Sequence, residues 1–152
     1  MKIHWTALAT CIFVVVWNTN LDAATQASTE PDPTDLATIW DGVYTDDQAS
    51  RGQRVYETEC TECHLETLMV DGNAPALIGR TFFVRWSDLS VADMVVATRS
   101  TMPEFAPDSL STEQYVDIAA YVLAQSEVPS GDNELPADLG ALAEIIVTKE
   151  AE

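Results

Sequence analysis

Positive charge is scarce in this sequence. Its 152 residues hold seven Lys and Arg against 25 Asp and Glu, a formal net charge of −18. So acidic a surface repels nucleic acid and anionic lipid, which excludes both as expected partners. It favours fast, salt-sensitive encounter with basic protein patches, and it equally serves solubility or a saline habitat. Histidine and cysteine are also rare, at two and three residues. Strand-like alternation of useful length and internal repeats are absent, which leaves an all-α fold as the expectation. Long apolar runs are missing too. The best, Ala7 to Val16, is interrupted by Thr10 and falls short of the roughly 20 residues that span a bilayer.

What is present is concentrated in five residues, Cys60-Thr61-Glu62-Cys63-His64. The pattern C-x-x-C-H is the attachment motif of a c-type haem. Two residues between the cysteines let one turn of chain offer both sulfurs to the two vinyl groups as thioethers. The histidine that follows then offers an imidazole nitrogen to the iron. Two other readings of a C-x-x-C pair exist, a thioredoxin-like redox pair and half a zinc site. The first belongs near a βαβ pattern, of which there is no trace. The second needs further ligands, and the only other cysteine and histidine are Cys11 and His4, near the N-terminus.

That N-terminus reads as a secretory signal over residues 1–24, with Lys2 ahead of the apolar run and Ala23-Ala24 at a plausible cut. An uncleaved signal acting as an anchor is the alternative. Export to the periplasm agrees with the motif, because thioether attachment of haem takes place outside the cytoplasm. With the signal removed only Cys60 and Cys63 remain, and the haem would consume both. Residues 25–41, with Pro31 and Pro33, read as a flexible linker. A haem domain is expected over 42–127 and a tail over 128–152, whose apolar stretch Leu139 to Val147 suggests one further short helix packed on the domain.

Three helix starts are signalled. Thr45-Asp46-Asp47-Gln48 fits a capping box, after which Ala49, Gly52, Tyr56 and Cys60 recur at helical spacing. A glycine inside a helix costs about 1 kcal/mol against alanine, so Gly52 predicts close approach of another helix. Ser90 to Asp93 opens a middle helix with Met94, Val95 and Thr98 inward. Ser111-Thr112-Glu113-Gln114 opens the most amphipathic one, with Tyr115, Ile118, Ala119, Val122 and Leu123 on one stripe. Phe82, Phe83 and Trp86 form an aromatic group on a short helix. Residues 65–80 and 100–110 read as loops. The expected architecture is three to four helices around one covalent haem, marginal without it.

The order of these features resembles a class I cytochrome c over about residues 42–127: capped helix, C-x-x-C-H, Pro-containing loop, middle helix, Met-Pro, final helix. More narrowly, Tyr44-Thr45 to Gly52, Ala74-Pro75-Ala76-Leu77, Met102-Pro103 and Val128-Pro129-Ser130-Gly131 are similar to the small cytochromes that accompany quinoprotein alcohol dehydrogenases. The resemblance implies that iron is held by His64 and by a methionine sulfur from the loop after the middle helix. Of the four methionines, Met102 fits that place. Met1 goes with the signal, Met69 follows His64 too closely, and Met94 lies on an inner helical stripe. It further implies that the Pro75 carbonyl accepts the other ring proton of His64, and that Gly52 and Tyr56 meet Tyr121 or Val122. Trp86 and Arg80 are candidates for the haem propionates.

With both axial positions filled, the implied function is one-electron transfer, from a quinoprotein-type dehydrogenase toward a terminal oxidase or a second cytochrome. No enzymatic activity of the chain itself is expected. A haem enzyme or gas sensor with a weak sixth ligand, and a fixed haem subunit of a larger dehydrogenase complex, are the alternatives.

Overall fold

The chain order runs β1 (Ala37–Thr38), α1 (Asp46–Glu59), α2 (Thr61–His64), α3 (Gly79–Trp86), α4 (Val91–Thr101), α5 (Thr112–Gln125), α6 (Leu139–Ala143) and β2 (Ile145–Ile146). These elements come from a computed structural model that describes residues 36–69 and 74–149. The signal segment expected over 1–24, with Cys11 and His4, lies outside the described residues, as does most of the linker. The fold is all-α, as the sequence predicts. α1, α3, α4 and α5 run eight residues or more, while α2 and α6 are little more than single turns. Among the described residues no helix is long and apolar enough to cross a membrane.

Short polar side chains set where α1, α4 and α5 begin. Ser90 accepts from the Asp93 N–H, and the Asp93 carboxylate accepts from the Ser90 N–H, so the predicted cap of α4 is reciprocal. Ser111 and Gln114 do the same for α5. At α1 only half the expected box forms. Thr45 accepts from the Gln48 N–H at 3.1 Å, but Gln48 does not reach back. Its buried amide instead donates to the Leu135 carbonyl at 3.0 Å and accepts from the Leu135 N–H at 2.8 Å. A buried backbone segment without a ladder partner must be satisfied somehow, and here Gln48 does it.

α1 crosses α5 at Gly52. A Cβ at that position would lie 1.8 Å from the Asp117 carbonyl oxygen, so the two backbones touch. One turn on, Tyr56 packs on Tyr121 with ring centroids 5.3 Å apart. Arg51 flanks the crossing, donating to Asp117 at 3.1 Å and to Glu134 at 2.8 Å. α5 is the centre of the core: every residue from Tyr115 to Leu123 is buried.

The chain ends differ from the expectation. Ala37 to Trp40, placed by sequence in the linker, is packed, with Ile39 fully buried. β1 pairs in parallel with β2, the Ile39 N–H donates to the Ile146 carbonyl at 3.0 Å, and the Trp40 indole donates to the Thr148 carbonyl at 3.1 Å. The helix expected across Leu139 to Val147 therefore stops at Ala143. The β-branched Ile145 and Ile146 take the extended conformation that pairing requires. The tail also supplies Leu135, Leu142 and Val147 to the core. Gly42 and Gly131 let the two ends meet: a Cβ on Gly131 would lie 2.1 Å from the Gly42 carbonyl oxygen.

Candidate functional site

Beside α5 the packing opens. A cavity of about 460 Å³ lies among the end of α1, α2, α3, the end of α4 and the inner stripe of α5. Cys60, Cys63, His64, Pro75 and Met102 all line it.

Their delivery follows from local structure. Cys60 caps α1, its N–H donating to the Tyr56 carbonyl at 2.9 Å. The single turn of α2 then carries Cys63 and His64 inward, the His64 N–H donating to the Cys60 carbonyl at 2.9 Å. Leu65, at φ 58°, ends the turn in the left-handed region. The buried Tyr56 hydroxyl holds the exit by donating to the Leu65 carbonyl at 2.8 Å, with the His64 carbonyl at 3.3 Å. The His64 ring is buried, and its Nδ1 lies 3.2 Å from the Pro75 carbonyl oxygen. A carbonyl can only accept, so this contact calls for the proton on Nδ1 and leaves the Nε2 lone pair free. Pro75 belongs to a loop closed by the Leu77 N–H donating to the Leu68 carbonyl at 2.8 Å.

Met102 ends α4 in an extended conformation. Its N–H donates to the Thr98 carbonyl at 2.7 Å, and its carbonyl accepts from the Tyr115 hydroxyl at 2.8 Å. The loop beyond returns on itself, with the Asp108 N–H donating to the Arg99 carbonyl at 3.0 Å and an Arg99–Asp108 ion pair outside. The two motif cysteines form no disulfide. Burial, then the charges of Glu59 and Cys63, push the Cys60 thiol up to about 11, so it is neutral at pH 7.

Two thiols, an imidazole with a free nitrogen and a thioether, gathered on one largely apolar cavity, form the donor set of a tethered haem. The volume falls in the range of cofactor sites. Among the described residues no three His, Cys, Asp or Glu side chains converge to hold a bare ion. A protein-family model described as cytochrome c oxidase, cbb3-type, subunit III matches residues 47–122, half of the chain. The chain belongs to this family of class I c-type cytochromes. Neither a curated protein nor a solved structure matches it.

As a cytochrome c domain, the chain is a haem-based electron-transfer protein. Its remaining methionines separate clearly. Met69 is 53% exposed and outside the cavity wall, whereas Met94 is buried and contributes to both core and wall. Trp86 lines the cavity of this cytochrome, but Arg80 does not. Arg85 takes that place, with its guanidinium 4.8 Å from the Trp86 ring centroid. The two arginines sit about 140° apart around the helix, which follows from 3.6 residues per turn. Sequence reading put Tyr56 on a helix crossing and Tyr115 on a core stripe. It missed that each phenol also fastens the backbone of a candidate iron ligand. The available signal was a polar hydroxyl at an inward helical position, since buried phenols need an acceptor.

Proposed function

We propose that this cytochrome is a periplasmic one-electron carrier whose haem is tethered through Cys60 and Cys63 and held axially by His64 and Met102. The observation that carries the reading is the convergence of these four side chains on one cavity. Haem bound there supplies the one-electron ferric/ferrous couple. The protein's own work is positional. Pro75 orients His64 through Nδ1, which raises the basicity of the opposite nitrogen. The Met102 thioether is a soft ligand that favours the reduced state and raises the potential. Phe82, Leu77, Ile118 and Val122 make the wall apolar, which keeps water out and disfavours extra charge inside.

The acidic surface suits redox partners with basic patches. Phe105, three residues beyond Met102, is 92% exposed, and the wall residue Val84 is 71% exposed. Apolar side chains beside the cavity on an otherwise charged surface support a protein contact there. The similarity to small cytochromes of quinoprotein alcohol dehydrogenases favours such a dehydrogenase as donor and an oxidase or second cytochrome as acceptor. A second reading is a haem subunit fixed in a larger complex. The description of the matched family, an oxidase subunit, supports it.

The ligand set is tested by the absorption spectrum of the oxidised holo-protein. The weak sulfur-to-iron band at the red edge should be present in the wild type and absent in Met102→Ala, with the covalent haem retained. A high-spin ferric spectrum in the wild type would overturn the carrier reading and favour a sensor or enzyme. Elution of the native periplasmic extract at the size of the free chain, or of a large complex, separates carrier from subunit.

A further inference from the structure

The two candidate axial ligands are fastened in different ways. On the histidine side three contacts converge: Nδ1 with Pro75, the His64 N–H with Cys60, and the Tyr56 hydroxyl with the exit carbonyls. Both tethering cysteines flank the same turn. On the methionine side there is no tether. Met102 is the last residue before a loop that carries Pro103, Glu104 and the fully solvated Phe105. Its backbone has two anchors. One, its N–H to Thr98, is the last rung of α4 and belongs to the helix. The other is the hydroxyl of Tyr115, a side chain 1% exposed that lines the cavity and sits in the first turn of α5.

We infer that Tyr115 is a positioning residue that sets how firmly Met102 keeps its place, and so how well the site resists exogenous ligands. This rests on the His64/Met102 reading above. For a small molecule to take the place of the Met102 side chain, residue 102 and the loop after it must swing away from α5. That opening breaks the Tyr115–Met102 hydrogen bond, which leaves a buried phenol without an acceptor. The opened state is therefore disfavoured by the net worth of one buried hydrogen bond, about a fivefold to tenfold effect on an equilibrium. Removing only the hydroxyl takes that bias away while leaving the ring packed.

The structure also provides a matched control. The Tyr44 hydroxyl, likewise buried, donates to the Val128 carbonyl, and Tyr44 is not part of the cavity wall. Tyr44→Phe loses the same kind of bond at a comparable cost in stability, with no connection to Met102.

The test is titration of the ferric holo-protein with imidazole, followed in the Soret region and by loss of the sulfur-to-iron band. Tyr115→Phe should bind imidazole about fivefold more tightly than the wild type, while Tyr44→Phe should match the wild type. Equal affinity in all three proteins overturns the inference, as does an equal rise in both variants. If Tyr115→Phe fails to mature, 3-fluorotyrosine at position 115, a stronger donor of nearly the same shape, should weaken imidazole binding. Unchanged or tighter binding there overturns the inference as well. A wild type without the sulfur-to-iron band would instead sink the ligand reading and this inference with it. A wild type with the band and an unresponsive Tyr115→Phe sinks the inference alone.

Discussion

α5 is finished in opposite ways on its two sides. Toward α1 it is closed by the protein's own atoms, backbone against backbone at Gly52 and Asp117, ring against ring at Tyr56 and Tyr121. Toward α3 and the end of α4 its side chains Tyr115, Ile118, Ala119 and Val122 face a cavity of about 460 Å³. Protein interiors are packed to crystal-like density, so a void of that size beside a tight crossing is not slack in the design. The closed side holds the helices at a fixed spacing, and the open side inherits that spacing as the shape of a cofactor site. The half of the molecule without chemistry is what gives the other half its geometry.

Emptying the open side should have the largest consequence. Cys60→Ser with Cys63→Ser removes both tethers, and the apolar wall then has nothing to pack against. The expected outcome is a colourless protein with much of its far-ultraviolet helix signal, weak near-ultraviolet signal and no cooperative thermal transition. A sharp transition in that variant would show that the closed side folds by itself and would break the comparison.

Breaking the closed side comes next. Gly52→Ala adds one methyl group to a helix, which by propensity alone would gain about 1 kcal/mol. The methyl would sit 1.8 Å from a backbone oxygen that no rotamer change can move. Overpacking against backbone costs about 3 kcal/mol, so the steric term wins and the holo-protein should lose about 2 kcal/mol in urea unfolding. The haem spectrum should be perturbed too, because α1 also carries Cys60. Leu142→Ala probes a third region, the tail. Leu142 is fully buried, outside the cavity wall, and truncation should cost about 3 kcal/mol while the spectrum stays as in the wild type. A spectral change there would mean that the tail, too, shapes the site.

The two sides were not equally legible in the sequence. On the open side Cys60 to His64 stood out because two thiols and an imidazole at short spacing are a recognisable pattern, while Met102 was pointed to by the resemblance to class I cytochromes c; both line the cavity. The crossing was legible through Gly52, a helix-weakening residue that needs a packing reason. What stayed hidden depends on contacts distant in chain. The strand pair joins Ala37 to Ile145 and Thr38 to Ile146, each 108 residues apart, through two-residue strands too short to show any period. Gln48 looked like a capping residue because Leu135, its true partner, lies 87 positions away. That Arg85 and not the candidate Arg80 reaches the cavity wall was not legible, since residue type alone carries no helix phase. The roles of Tyr56 and Tyr115 stayed hidden because a backbone acceptor leaves no mark in the sequence.

The smallest expected effect concerns the cap of α4. The Asp93 carboxylate accepts from the Ser90 hydroxyl at 2.7 Å and the Ser90 N–H at 2.9 Å, and these bonds hold its pKa below the usual carboxylate value. A folded pKa below the unfolded one means that the contribution is fully present above the unfolded value, about 4, and is lost as pH falls through the folded value. Asp93→Asn keeps an acceptor but removes the charge that favours a helix N-terminus. At pH 7 the variant should unfold at slightly lower urea concentration than the wild type, and the gap should close as pH drops below about 4. A gap independent of pH would mean that shape and hydrogen bonding alone make this cap. A shifted sulfur-to-iron band would mean that the start of α4 acts on its far end, where Met102 sits.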